Sequence, residues 1–348
     1  MQIAFFVNGI KHEYPRYTTT VLARAALARG HDISYVTPGD FVLRADDSLC
    51  IRTLRLPKSR YKTVETLHKA LQGKDTSVQT IDATELDVLF LRHDPSLDAE
   101  DHSWAAHAPL MFGRLAAKRG VLVVNDPDGL SNAQNKLYLQ GFPEAVRPTT
   151  LISRSIDEVR AFVADQPKGV IVKPLQGSGG KHVFKINSAT DANLNQIVEA
   201  VGEEGYLIAQ AYLPKAKGGD VRLFVMNGVP LEREGVYAAL HRIPAKGDIR
   251  SNMHAKGTAE KVTPTGDMLK AAELVRPKLL NDGMFLVGLD LVGDRILEIN
   301  VFTPGGLWSI CDLYGIDFAE SIIVALENKL AIRDAYVAGI ANKGLASL

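Results

Sequence analysis

The run VIVKPLQGSGGKHVFKI, residues 170–186, sets Lys173 at the end of a β-branched stretch and follows it with a loop almost bare of side chains. An ammonium group is costly to bury at a strand end unless an anion meets it. Gly177, Gly179 and Gly180, with Ser178 among them, let backbone N–H groups approach such an anion closely, and concave runs of amides suit phosphate. The loop matches neither GxxxxGK[ST] nor the dinucleotide fingerprint, because it joins strand to strand instead of strand to helix. It reads as a phosphate cover, with a plain flexible turn as the alternative. Lys136, in the helical-looking NAQNKLYL, is a second cation of the same kind; a surface lysine with its stem laid along the protein is the plainer reading of either.

A second constellation lies in GLDLVGDRILEINVFTP, residues 288–304. Glu298 and Asn300 stand two apart and so share one face of a strand, and pairing across the Gly293–Asp294 turn brings Asp290 beside them. Two carboxylates and an amide oxygen are hard ligands suited to Mg²⁺, which commonly completes its shell with water and phosphate oxygens. The alternative is a polar hairpin face.

The elements that must position these groups follow from pattern. In the first third, QIAFFV, the helical TTTVLARAALARGH with its Gly30 stop, and DISYVT make a βαβ unit and hence a parallel sheet. LDVLFLRHDP and GVLVVNDPDG add two strands around the helical SWAAHAPLMFGRLAAKRG, so a doubly wound domain is expected over residues 1–124. Ligands of such sheets lie beyond the carboxyl ends of the strands, which singles out the loops at 8–18, 92–96 and 125–129. LSNAQNKLYLQGF reads as a helix, TTLISRSIDEVRAFVADQ as strand and helix, and the Asn-Gly of DVRLFVMNGVPLE as a tight hairpin turn. A helix over 265–281 and the acidic hairpin complete the chain, giving expected units at 125–208 and 209–348.

Composition bounds the rest. The 348 residues are too many for one ordinary core, and 46% hydrophobic with 23% charged residues is the make-up of a soluble globular protein. Lys plus Arg equals Asp plus Glu at 40 each, so no overall field draws the chain to nucleic acid or an anionic membrane. Two cysteines, Cys50 and Cys311, make no disulfide framework and fit a reducing, cytoplasmic setting. The start MQIAFFVNGI lacks a basic flank and reads as a strand, and no run is long enough to span a membrane.

Taken together and in order, LRHDPSLD, VVNDPDGLSNAQNKLYL, VIVKPLQGSGGKHVFKI, AQAYLPKAKGGDVRLFV, HRIPAKGDIRSNMHAKG and FLVGLDLVGDRILEINVFTP resemble segments of the prokaryotic glutathione synthetases, a family of the ATP-grasp ligases, from about residue 3 to about residue 325. The resemblance implies an ATP-grasp fold behind the Rossmann-like domain, and ATP with Mg²⁺, or Mn²⁺, as cofactors. Lys136, Lys173 and the loop Gly177, Ser178, Gly179, Gly180 would meet nucleotide phosphates. Gln210, Ala211, Tyr212 and Leu213 would border adenine, and Asp220 would hold the ribose. Asp290, Glu298 and Asn300 would bind metal, while Arg222, Arg242 and Arg250 would face the transferred phosphoryl group. Arg92, Tyr17, Thr303, Gly305 and Gly306 would meet substrate, with an ion pair from Arg92 to Asp94 or Asp98 as the plainer fate of that guanidinium.

The implied reaction joins γ-glutamylcysteine to glycine through an acyl phosphate, in a homo-oligomer with small-molecule substrates only. The family's ending resembles EINVTSPT, whereas this chain has EINVFTPGGLWS, so the amine pocket near 302–309 is expected to differ; His254 and Lys256 depart from the family too. A ligase with another amine or donor, and an ATP-binding regulatory protein, are the alternatives left open.

Overall fold

A computed structural model describes residues 1–98, 102–177, 182–203, 205–245 and 257–348. Its first sheet has seven strands and is mixed. Gln2–Phe6 lies at the centre, parallel to Asp32–Val36 on one side and Val88–Leu91 on the other, with Leu122–Val124 parallel beyond. The expected doubly wound core is therefore present. The sheet then continues antiparallel: Leu49–Arg55 pairs with Asp32–Val36, and Phe41–Leu43 and Ser77–Asp82 pair with Leu49–Arg55. Those strands come from FVLRADDSLCIRTLRL and the segment after it, where turn residues such as Asp47, at φ 62, reverse the chain.

The second sheet has four antiparallel strands in the order Phe184–Ile186, Val170–Pro174, Leu207–Ala211, Thr150–Ser153. Helices Ile156–Ala164 and Leu194–Gly202 bury Val159, Val163, Leu194 and Val198 against its Val170 and Val172, forming an apolar cluster separate from the rest. The third sheet orders Thr258–Lys261, Ala239–Ile243, Asp220–Met226, Leu286–Val292 and Arg295–Asn300, all antiparallel, with Val229–Pro230 closing the predicted hairpin on Asp220–Met226. Asn227 and Gly228 at φ 51 and φ 73 take the left-handed pair that a two-residue Asn-Gly turn requires.

First and third sheets share their cores. Leu89, Val123, Leu130 and Tyr138 belong to one cluster with Val221, Leu289 and Ile296. Helix Phe318–Ala335 packs on helix Thr18–Ala28, tied by Arg24 to Asp317 at 3.1 Å. Asn125 is the central clasp. Its buried amide donates to Leu286 O at 3.0 Å and Val301 O at 2.5 Å, and its oxygen accepts from Phe285 N at 2.7 Å and Leu286 N at 2.9 Å. Asn125→Ala leaves four buried backbone groups unpaired, so urea denaturation should show a loss of roughly 3 kcal/mol or more.

One element departs from the sequence reading. Lys136 stands on a 3₁₀ turn, Lys136–Gly141, and not on an α-helix. Asn135 accepts from Leu137 N and starts that turn afresh after the short helix Pro127–Asn132, so the helical apolar spacing is read out over two separate pieces.

Candidate functional site

Strand Val170–Pro174 carries Lys173 half-buried, with its Nζ 3.3 Å from Gln210 Oε1 on the neighbouring strand. Burial lowers the lysine's pKa, Glu298 and Asp290 act to raise it and Lys136 to lower it further, so these four charged groups share one region. Lys136 donates to Gly177 O at 2.6 Å and Gln176 O at 3.2 Å, pinning the start of the glycine loop. Gly177 has φ +96 and open space around the position of a Cβ. Ser178, Gly179 and Gly180 lie outside the described residues, as do Arg250, His254 and Lys256.

The adenine-strand residues sit beside this region. Gln210 is buried; the amides of Ala211 and Tyr212 are given to Thr149 O and Gly169 O, while that of Leu213 has no backbone partner among the described residues. Lys185, a residue the sequence reading passed over, lies 3.9 Å above the Tyr212 ring.

Across from Lys173 the third sheet presents a row of charges. Cross-strand register sets Arg222 beside Asp290, Asp290 beside Glu298, and Asp220 beside Arg242. Arg222 takes both oxygens of Asp290 in a fork, its Nη2 at 3.0 Å from Oδ2, and gives Nη1 to Gly305 O at 2.8 Å. Arg242 bonds Asp220 and reaches Asp290 Oδ2 at 2.8 Å. Burial alone would raise the Asp290 pKa, but Arg222 and then Arg242 hold it well below the ordinary carboxylate range. Gly219, at φ +108, is what lets the chain approach: a Cβ there would lie 2.1 Å from Arg242 O.

These contacts revise three expectations. Asp220, 3% exposed, is engaged by Arg242 and is not turned out as a free ribose ligand. Arg222 and Arg242 have their forks on carboxylates. Asp290 is satisfied by two guanidiniums and so is a poor vacant metal ligand. Glu298 is half-exposed, and its carboxylate makes no hydrogen bond or contact ion pair among the described residues. Asn300, two residues on and so on the same face of the strand as Glu298, turns its Nδ2 toward Asp290 Oδ2 at 3.4 Å. That pair is the hard-oxygen set a magnesium ion would take.

The second group of functional candidates lies at the carboxyl ends of the first sheet. Arg92 is 3% exposed, reaches Thr19 Oγ1 at 3.5 Å and Pro304 O at 3.3 Å, and leaves Nη1 without a partner. Among the described residues Arg92 makes no ion pair with Asp94, which caps Ser96, or with Asp98, which accepts from Asn8. Burial lowers the Arg92 pKa to about 10, against the pull of Glu13. His93 is buried between Phe6 and Phe302 with a pKa lowered to about 3 by desolvation. Tyr17 is 39% exposed and packs edge-on to Tyr14, while Arg16 lies 4.1 Å over the Trp308 ring beyond Gly305 and Gly306. Thr303 is half-buried between Phe302 and Pro304.

Glu13 joins this group without a signal in the sequence, because a glutamate in a polar loop carries no mark that it will be buried. It is 6% exposed, and burial raises its pKa from 4.5 to about 7, with Arg92 opposing. Its carboxyl thus stays protonated in the fold where the unfolded chain has already ionised. Stability is therefore lost as pH climbs from about 4.5 to about 7, on the order of 3 kcal/mol in all. Glu13→Gln should abolish that slope in unfolding curves compared at both ends of the window and be the more stable protein at the upper end.

An α/β sheet domain followed by two antiparallel sheets, one carrying Lys173 and the other an acidic hairpin within electrostatic reach of it, is the arrangement of the ATP-grasp ligases. Two solved structures share the fold: D-cycloserine synthetase DcsG, with TM-score 0.59 and 16% identity over 94% of this chain and 100% of that one, and D-alanyl-alanine synthetase A from Vibrio cholerae, with TM-score 0.56 and 11% identity over 95% and 98%.

Within that class the chain belongs to the prokaryotic glutathione synthetase family. Residues 1–131 match that family's N-terminal domain and residues 135–315 its ATP-grasp domain. Glutathione synthetases of Synechococcus elongatus and Salmonella typhi are 32% and 33% identical over 336 and 335 residues, covering 94% and 95% of this chain and 98% and 99% of theirs. That of Vibrio vulnificus is 35% identical over 257 residues, 73% of this chain and 77% of its own. The protein is accordingly an ATP-dependent ligase that forms a carbon–nitrogen bond.

Proposed function

We propose that the chain condenses γ-glutamylcysteine with glycine to give glutathione, ADP and phosphate. The donor carboxylate oxygen attacks the terminal phosphorus of ATP, ADP leaves, and the amine then displaces phosphate from the acyl carbon. The observation that supports this reading is Lys173 within electrostatic reach of Glu298 and Asp290 in the Arg222–Asp290–Glu298 row, together with a buried Arg92 whose Nη1 has no hydrogen-bond partner among the described residues. Positioning and neutralisation of charge supply most of the rate in such transfers.

Lys173 and Lys136 would bind the phosphates, with Gly177 to Gly180 over them; Gln210 to Leu213 would border adenine. Glu298 and Asn300 would hold Mg²⁺ or Mn²⁺, which screens phosphate charge, and a second ion at Asp290 requires Arg222 to release it. Arg222 and Arg242 then become free to meet the transferred phosphoryl group, together with Arg250. Arg92, Tyr17, Thr303, Gly305 and Gly306 would line the donor and amine sites.

Residues 1–124, 125–208 and 209–348 serve as donor, cover and metal-bearing units. We take the protein to be cytoplasmic and homo-oligomeric, without nucleic-acid or membrane partners; among the described residues no helix is long and apolar enough to cross a membrane.

Phosphate release with γ-glutamylcysteine, with and without glycine, tests the reading. Glycine-dependent release is expected; none with any amine would favour a nucleotide-binding regulatory protein. A different amine is the second reading, favoured by Phe302 buried on His93 and by Trp308 under Arg16, which fill the segment that departs from the family's pattern. A panel of amines that outperforms glycine in the same assay would establish it.

A further inference from the structure

Seven buried side-chain atoms have no hydrogen-bond partner among the described residues, and four of them, Glu13 Oε2, Thr18 Oγ1, Tyr35 Oη and Arg92 Nη1, belong to one corner of the first sheet. Buried polar groups are rarely left unpaired, so such a concentration marks a place that a ligand completes. Tyr35 and Arg92 stand at the carboxyl ends of strands that flank the central one, Thr18 starts the helix that follows it, and Glu13 lies in the loop between that strand and that helix, where sheets of this kind hold ligands. Each residue is more than nine-tenths buried.

Charge says what the ligand is. Glu13 and Arg92 act on one another electrostatically, yet no ion-pair contact joins them. The scaffold holds them apart. His68 Nε2 bonds Glu13 O at 2.8 Å and Gln72 bonds Ile10 O at 2.6 Å, fixing the glutamate's loop. Asn8 joins that loop to Asp94, with Asp94 N donating at 2.8 Å, and Thr19 and Pro304 hold the guanidinium. Helix Thr18–Ala28 starts without a side-chain cap, so its first amides point to the same corner with their positive end.

We infer that Glu13 is a specificity-determining residue that accepts the ammonium group of the donor's amino-acid head, while Arg92 and the amides of the first helix take that head's carboxylate. This rests on the donor reading above and deepens it: the donor must be a zwitterion at the end remote from the reacting carboxylate. Thr18 and Tyr35 supply hydroxyls to the same head. A site with a buried carboxyl rejects an analogue that lacks its hydrogen-bond partner, because the carboxyl is then left unmatched.

The experiment compares γ-glutamylcysteine with glutarylcysteine, which lacks only the α-amine, by phosphate release from the full chain with ATP, Mg²⁺ and the amine. The wild type should prefer the amino donor by about 10²–10⁴-fold in kcat/KM. Glu13→Gln should shrink that preference below about tenfold, through a raised KM for γ-glutamylcysteine, while glutarylcysteine changes by less than about threefold. Arg92→Met, whose partner carboxylate is present in both donors, should slow the two alike.

A wild type that uses both donors within about threefold, or a Glu13→Gln variant that loses equally on both, overturns the role of Glu13 and leaves the ligase reading standing. A wild type that releases no phosphate with γ-glutamylcysteine overturns the donor reading and this assignment with it. Circular dichroism of both variants, superimposable on the wild type, is expected; a collapsed fold in Glu13→Gln contradicts a glutamate that serves the ligand.

Discussion

Lys173→Met is expected to lower kcat/KM by about 10²–10³-fold while leaving the folded protein as stable as the wild type or more so. The ammonium is half-buried, its one described hydrogen bond is to Gln210 Oε1 at 3.3 Å, and burial depresses its pKa. Without nucleotide it is a desolvated charge with an incomplete partner set, which disfavours the folded state at neutral pH. Methionine keeps the bulk and removes the charge. Thermal unfolding should thus move up or stay, and its increase on adding ATP should shrink. A variant that keeps its activity, or that unfolds more easily while losing it, would falsify the phosphate role and make Lys173 a structural cation.

The second large effect lies in the arginine–carboxylate row. Removing Asp290 as Asp290→Ala leaves Arg222 and half of Arg242 buried without their counter-charge, and a loss of about 3–5 kcal/mol in unfolding free energy is expected with loss of turnover. Arg222→Met alone should cost a similar amount, because Asp290 then relies on Arg242. The double variant Arg222→Met with Asp290→Leu should recover much of the stability, since an apolar pair of similar volume tolerates burial better than half an ion pair. Turnover should not return. Recovery of both would reduce the row to a structural device, and recovery of neither would mean that the pair positions more of the sheet than its own contacts indicate.

How much of this was legible in the sequence differs by element. The parallel strands announced themselves because QIAFFV, DISYV and DVLFL are apolar runs buried on both faces, and the acidic hairpin because period two fixes which of its side chains meet. Asp290 beside Glu298 was read from spacing alone and is found in register. What pattern could not supply was partner choice. Nothing in DVRLFV or HRIP says that Arg222 will fork onto Asp290 and Arg242 onto Asp220; that is set by strand order in the third sheet, which depends on contacts between distant segments.

Around Lys136 the pattern points to a helix because apolar spacing persists through the break at Asn135. Glu13 was missed for the opposite reason. Its loop is pinned through backbone carbonyls by His68 and Gln72, from a helix and its cap more than fifty residues away in the chain, and no local property of KHEYPRY records it.

The four-stranded unit keeps its apolar contacts to itself, with Val159, Val172, Ile186 and Val198 touching no other core, while the sheets on either side of it in the chain are fused through common residues. Such a unit is its own cooperative block: it can open sub-globally while the remainder stays native, so its amide protons exchange first and proteases find it first. Anything bridging Lys173 to Glu298 welds that block to the body, and the slowing of its exchange becomes a direct gauge of occupancy, readable without turnover.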